Sequence, residues 1–218
     1  MKGLILICAA FLSAAFLFCG SAFSEEKVIF DFETGTEGWW IPEWSEEKGD
    51  YATKALNSSE KFAKRGKSSI EVISDFPKEG WHAGIVDVEG PFDWSKYKKV
   101  KCDIYAPKNA PPKLKARLAI TVGEKWLWLD LARAVNLEPG EWVTVSGNLE
   151  LGNDAWKRTK MVEKKGRDGK IYGYVEKAER EPLTQDYVSD IKVFSIRIEA
   201  ENNPYSGPVY IDNIRLAD

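Results

Sequence analysis

Lys192-Val193-Phe194-Ser195-Ile196-Arg197-Ile198-Glu199-Ala200 alternates apolar and polar residues almost without a break. A period of two is the mark of a β-strand with one face in a core, because successive side chains point to opposite sides. Phe194, Ile196, Ile198 and Ala200 form the inward set, which leaves Ser195, Arg197 and Glu199 outward. The same pattern recurs along the chain. Leu114, Ala116, Leu118, Ile120 and Val122 share one side over 114–122, and Val100, Cys102, Ile104 and Ala106 share one over 100–106. Leu127, Leu129 and Leu131 do so over 125–131. Further short runs at 27–33, 69–73, 142–149 and 209–216 are bounded by Gly, Pro, Asn or Asp. No stretch keeps a helical period for three turns. Many short alternating strands with no helices between them predict an all-β antiparallel sandwich, or jelly roll.

The composition is compatible with that fold and excludes several functions. A chain of 218 residues, 44% of them hydrophobic, is enough for one domain with a real core. Lys plus Arg is 31 against 34 Asp plus Glu, so there is no basic excess and no nucleic-acid partner is expected. One His and three Cys cannot build a His- or Cys-rich metal cluster. Nine Trp is unusual for this length and asks for an explanation.

The first 24 residues read as an address. Met1-Lys2-Gly3 is a short basic start, residues 4–18 are apolar apart from Ser13, and Ala22-Phe23-Ser24 supplies small residues at signal-peptidase spacing. The expected protein is therefore secreted, extracellular or periplasmic, as a domain over 25–218 with no membrane span. The apolar run is short for a membrane anchor. Lipid anchoring through Cys19 is the lesser alternative, since Phe16-Leu17-Phe18 is bulky for a lipoprotein cleavage box. Removing the leader leaves only Cys102, so no disulfide within the domain is expected.

One segment departs from the sandwich pattern. Residues 151–187 are rich in Lys, Arg and Glu, and Asp168-Gly169 lies between two apolar-containing runs, which predicts an inserted, solvated hairpin. Ala178 to Arg180 reads as a possible helical turn before Pro182.

The outward residues carry the functional information. Opposite the core set stand Trp126, Trp128 and Asp130 on one strand, Arg197 and Glu199 on another, Arg117 on a third, and Tyr105 on a fourth. Trp126 and Trp128 are expected ~6.8 Å apart along their strand. Flat aromatics beside planar Arg and carboxylates suit a sugar: the apolar C–H face of a pyranose stacks on indole, and its hydroxyls pair with the ionic groups. The other reading of the pair is that both indoles pack under the 151–187 hairpin. Trp44 and Trp81 lie in expected loops, at one end of such a groove, and His82 follows Trp81. Trp156, in the hairpin segment, is placed to touch a ligand from above.

The start Phe30-Asp31-Phe32-Glu33 with Gly38-Trp39, the run 66–72, Pro139-Gly140-Glu141-Trp142-Val143-Thr144-Val145, and the close Val209-Tyr210-Ile211-Asp212-Asn213-Ile214-Arg215-Leu216 together resemble a β-jelly-roll carbohydrate-binding module of the galactose-binding-like superfamily. The resemblance spans nearly all of 27–217 except the hairpin. It implies a glycan-binding sheet face, with Trp126, Trp128, Asp130, Arg197, Glu199, Arg117, Trp81 and Tyr105 as candidate contacts for a poly- or oligosaccharide. It further implies a structural Ca²⁺ held by Glu33 and Asp212, helped by backbone carbonyls near Lys67 to Ser69. The alternative for these two acids is ordinary turn capping. A partner glycoside hydrolase is the natural companion of such a module.

Catalysis has less support. There is no G-x-S-x-G elbow, no P-loop and no dinucleotide fingerprint. A jelly-roll glycoside hydrolase or lyase using Asp130 and Glu199 is one alternative, and a structural or interaction protein of the envelope is another. The primary expectation is a non-catalytic binding domain.

Overall fold

The computed structural model describes residues 26–218, so the leader, its cleavage region and Cys19 lie outside the described residues. In chain order the elements are β1 (Lys27–Phe30), α1 (Glu43–Glu47), β2 (Thr53–Ser59), β3 (Ser69–Phe76), β4 (Trp81–Phe92), β5 (Lys99–Tyr105), β6 (Lys115–Val122), β7 (Leu127–Leu131) and β8 (Val135–Asn136). They continue as β9 (Trp142–Asn148), β10 (Trp156–Lys165), β11 (Ile171–Arg180), α2 (Gln185–Ser189), β12 (Ile191–Glu201) and β13 (Tyr205–Ala217). Two antiparallel sheets face each other. The first runs β2-β3-β13-β5-β9, with β1 also on β13; the second runs β11-β10-β7-β6-β12-β4, with β8 on β6. The expected β-sandwich is the observed fold.

The inward sets meet between the sheets. Val100, Cys102, Ile104, Val145, Val209 and Ile211 from the first sheet are buried against Leu118, Ile120, Leu129, Phe194, Ile196 and Ile198 from the second. Trp39 closes one side of this core, edge-on to Phe194 at 5.6 Å and to Phe30 at 5.6 Å. Burying side chains of this size contributes about 1.5–3 kcal/mol each before the entropy of ordering is subtracted. Among the described residues no helix is long and apolar enough to cross a membrane.

The structure departs from the sequence reading in several places. β2 and β4 were not among the expected strands, and Trp44 and Trp81, expected in loops, lie in α1 and at the start of β4. β13 is not one regular strand: its pairing with β5 shifts between Asp212 and Arg215, where Asn213 takes φ 50°. That extra residue lets both Ile211 and Ile214 face the core while Asp212 faces out. The 151–187 segment does form an antiparallel ribbon of β10 and β11, but its base is not solvated. Lys157 pairs with Asp130 of β7, and Trp156 is fully buried, its indole N–H donating to the Asn148 carbonyl at 2.6 Å. Trp156 therefore belongs to the core and not to a ligand roof. Residues 178–180, expected as a helical turn, continue β11.

Candidate binding face

The outer face of the second sheet is built from rows of cross-strand neighbours. One row reads Lys157, Asp130, Ala119, Ser195, Asp87 across β10, β7, β6, β12 and β4; the adjacent row places Arg117 directly opposite Arg197. Two facing cations repel unless acids sit between them. Glu199 does so: Arg117 Nε donates to its Oε1 at 2.6 Å and Arg197 Nε donates to the same oxygen at 2.9 Å. Arg197 Nη2 donates to Asp130 Oδ2 at 2.7 Å, and Arg117 also donates to the Leu131 carbonyl. Lys157 Nζ adds a longer contact to Asp130 at 3.8 Å. The result is a flat ionic floor in which charges of both signs satisfy one another.

Burial and pairing oppose each other in this floor. Burial by itself pushes the Glu199 carboxyl up, but hydrogen bonds and charge from Arg117 and Arg197 outweigh it and hold the group below its usual range. Burial likewise lowers Arg197, and Glu199 with Asp130 more than restores it. Asp87 has no such partner. Its Oδ1 is buried without a hydrogen bond, and burial, reinforced by Glu89 and opposed by the Ser195 hydroxyl, raises its carboxyl to about 6.

An arc of aromatic rings borders the floor. Trp128 on β7 meets Trp44 of α1 edge-on at 6.2 Å; Trp44 meets Tyr51 at 5.0 Å; Tyr51 meets Trp81, at the start of β4, at 6.2 Å. The Arg197 guanidinium lies 5.4 Å from the Trp81 ring centre, a cation–π stack. Trp44 and Tyr51 arrive here because residues 40–52 seal the edge of β4. Trp40 exchanges both backbone hydrogen bonds with Asp87 at 2.9 Å, and Ala52 N donates to Ala83 O at 2.8 Å. Burial raises the Tyr51 hydroxyl against the opposing charge of Arg197. Trp81 is 37% exposed, and Trp44, Tyr51 and Trp128 are half-buried, so each ring keeps part of its surface open to solvent.

Of the residues expected from sequence, Arg117, Trp128, Asp130, Arg197, Glu199 and Trp81 come together on this face. Two do not join them. Trp126 lies in the turn before β7 with φ 50°, 60% exposed, because β7 begins at Leu127, two residues later than the alternation suggests. Tyr105 is on the other sheet: β5 pairs with β13 and β9, and the Tyr105 ring is buried against Phe62 at 4.5 Å and Trp142 at 5.4 Å. Alternation orders the two sides of a strand but says nothing about which sheet it enters. His82 also stays apart, with Nε2 3.0 Å from the Glu79 carbonyl. Tyr51, Asp87 and Lys157 were not singled out by sequence. Asp87 was the most findable, since it interrupts the apolar run Ile85-Val86-Asp87-Val88.

Glu33 and Asp212 meet one loop, but with the wrong partners for a cation. Glu33 Oε1 accepts from the N–H groups of Lys67 and Ser68, each at 2.8 Å. Asp212 Oδ2 accepts from Lys64 N at 2.6 Å and Arg65 N at 2.9 Å, and Oδ1 accepts from Asn213 N at 2.5 Å. Ca²⁺ takes six to eight oxygen ligands. The loop offers amide protons where carbonyl oxygens were expected, and no group of three or more His, Cys, Asp or Glu among the described residues is placed to hold a metal. These residues, as arranged, do not fit calcium.

No family model matches the chain, and no curated protein matches it. Solved structures do. The fold is that of β-sandwich carbohydrate-binding modules. A family 11 carbohydrate-binding module from Clostridium thermocellum, in complex with a β-1,3-1,4-mixed-linked tetrasaccharide, shares 18% identity over 88% of this chain and 94% of its own, with a TM-score of 0.53. A module specific for non-crystalline cellulose, CBM28, shares 18% identity over 85% of this chain and 91% of its own, with a TM-score of 0.51. A structure from the β-sandwich superfamily of such modules, described as promiscuous in specificity, reaches a TM-score of 0.56 at 14% identity, over 90% of this chain and 64% of its own.

Proposed function

We propose that this chain is a secreted, non-catalytic domain that binds a poly- or oligosaccharide on the outer face of its second sheet. The observation that carries this reading is the aromatic arc Trp128, Trp44, Tyr51 and Trp81 bordering a floor of paired Arg and carboxylate groups. Sugar C–H faces stack on the rings, and hydroxyls exchange hydrogen bonds with Arg117, Asp130, Arg197 and Glu199. A rigid sheet positions these groups in advance, which limits the entropy lost on binding. The glucan and cellulose ligands of the similar modules supply the first probes. A partner glycoside hydrolase acting on the same polymer is the companion this role calls for.

The same floor argues against hydrolysis. A glycosidase needs one carboxyl protonated near neutral pH and space for the sugar between its two acids. Here Arg197 lies between Asp130 and Glu199 and hydrogen-bonds both, while Glu199 is held below its usual range.

Titration calorimetry of the full chain against mixed-linked β-glucan, xylan and mannan tests the reading. Trp81→Ala and Trp44→Ala are each expected to weaken binding of the active glycan by roughly tenfold or more, since each removes a stacking surface. Trp142→Ala, on the other sheet, is expected to leave it unchanged. Undiminished binding in both arc variants would remove the face from consideration, and released reducing ends would restore the enzyme reading.

A further inference from the structure

The loop 60–68 covers the outer face of the first sheet, and four independent contacts hold it there. The Phe62 ring packs at 4.5 Å on Tyr105 and at 5.0 Å on Tyr210. Ser69 Oγ donates to the Phe62 carbonyl at 2.6 Å. Asp212 takes the amides of Lys64 and Arg65, and Glu33 takes those of Lys67 and Ser68. Between the two amide pairs stands Gly66 at φ 68°, where any Cβ would run into the Glu33 carboxylate. Consecutive N–H groups converging around a left-handed residue form a concave nest of partial positive charge, which attracts anions and repels cations. The loop carries Lys61, Lys64, Arg65 and Lys67 besides, so its charge has the same sign as its amides.

We propose that this loop is a double anion nest closed by the protein's own Glu33 and Asp212, and that the clasp between the chain's beginning and end works without calcium. Alternation after the inward Ile211 turns Asp212 outward into the nest, and the bulge at Asn213 follows directly behind it. Glu33 and Asp212 sit near the two ends of the domain, so the loop ties β1's exit to β13 through hydrogen bonds to amides instead of through a shared ion. The clasp is independent of what the second sheet binds.

The loop's basic residues provide the readout, because each is a trypsin site exposed on the surface. Limited trypsin digestion of the full chain, followed by mass spectrometry, measures cleavage after Lys64, Arg65 and Lys67 in EDTA and in excess CaCl₂. Wild type is expected to be nicked at the same slow rate in both. Glu33→Gln, an exposed position, is expected to be nicked on the order of tenfold faster in both, because the amide it leaves accepts more weakly from Lys67 and Ser68. Thermal melts in the same two buffers are expected to coincide. Protection of the wild-type loop by CaCl₂, a calcium-dependent rise in melting temperature, or a Glu33→Gln loop as resistant as wild type would each overturn the proposal.

Discussion

The two outer faces of the sandwich use the same side-chain vocabulary and end in opposite states. The first sheet sets Tyr105, Tyr210 and Trp142 beside Asp103, Asn213 and Arg215; the second sets Trp81, Trp128 and Tyr51 beside Asp130, Arg197 and Glu199. On the first, loop 60–68 presses Phe62 onto the tyrosines and leaves both buried. On the second, residues 40–52 contribute rings to the border instead of a plug, and Trp81 stays open. Aromatic and ionic residues on a strand's outward side therefore do not identify a binding face. What crosses above them decides. Here the deciding crossings are a loop pinned by two carboxylates and a segment that pairs along the edge of β4 and, at Ala52, with Asp75 of β3.

Breaking the ionic floor is the most severe way to test this contrast. Arg197→Met leaves Asp130 and Glu199 buried with Arg117 as the principal cation between them, and removing one member of a buried ion-paired set costs about 3–5 kcal/mol. Urea unfolding is expected to show an unfolding free energy lowered by that amount, seen as a lower midpoint with an unchanged slope. Arg215→Met, beside Asp103 on the first sheet, has a partly exposed partner in Glu26 and is expected to cost less. A smaller loss at Arg197 than at Arg215 would invert the proposed roles of the faces.

Asp87 gives the next effect, through pH. Its folded-state carboxyl is raised to about 6, against 3.8 as its ordinary value. Between these values the folded chain holds the proton and the unfolded chain does not, so stability falls as pH rises from about 4 to about 6 and is flat above that. The loss amounts to at most about 3 kcal/mol, at about 1.4 kcal/mol per unit. Asp87→Asn is expected to abolish this slope and to gain stability relative to wild type at neutral pH. Melting temperatures measured across that range, for both proteins, show whether the slope belongs to Asp87; an identical slope in the variant would assign it elsewhere.

Much of this was readable in the amino-acid order, and the failures have physical reasons. Most strand positions and inward sets were readable because a half-buried strand must alternate, but β2 and β4 were not read; the 192–200 run alone gives the inward Phe194, Ile196 and Ile198 and the outward Arg197 and Glu199. Convergence of Arg117 and Asp130 with that pair followed from the same rule once their strands proved to be neighbours. Sheet membership was not readable, because pairing is decided by contacts between residues far apart in sequence; Tyr105 was misplaced for that reason. The Asn213 bulge and the Trp126 turn were also hidden, since each depends on one residue adopting a positive φ that non-glycine side chains seldom signal. Tyr51 escaped because its segment has no period of its own. It takes its position from the edge of β4.

Trp126 supplies the mildest and most specific way to sharpen the comparison. It is 60% exposed and stands in the turn before β7, whereas Trp128 is half-buried against Trp44. Most of its surface faces solvent, so Trp126→Ala is expected to leave stability within about 0.5 kcal/mol of wild type. Its distance from the floor along β7 exceeds that of Trp128, so it can meet only a chain that runs past the arc. Calorimetry with oligosaccharides of increasing length is then expected to show a few-fold loss of affinity for long chains and none for short ones. An equal loss at every length would place Trp126 inside the arc and extend the binding face into the turn before β7.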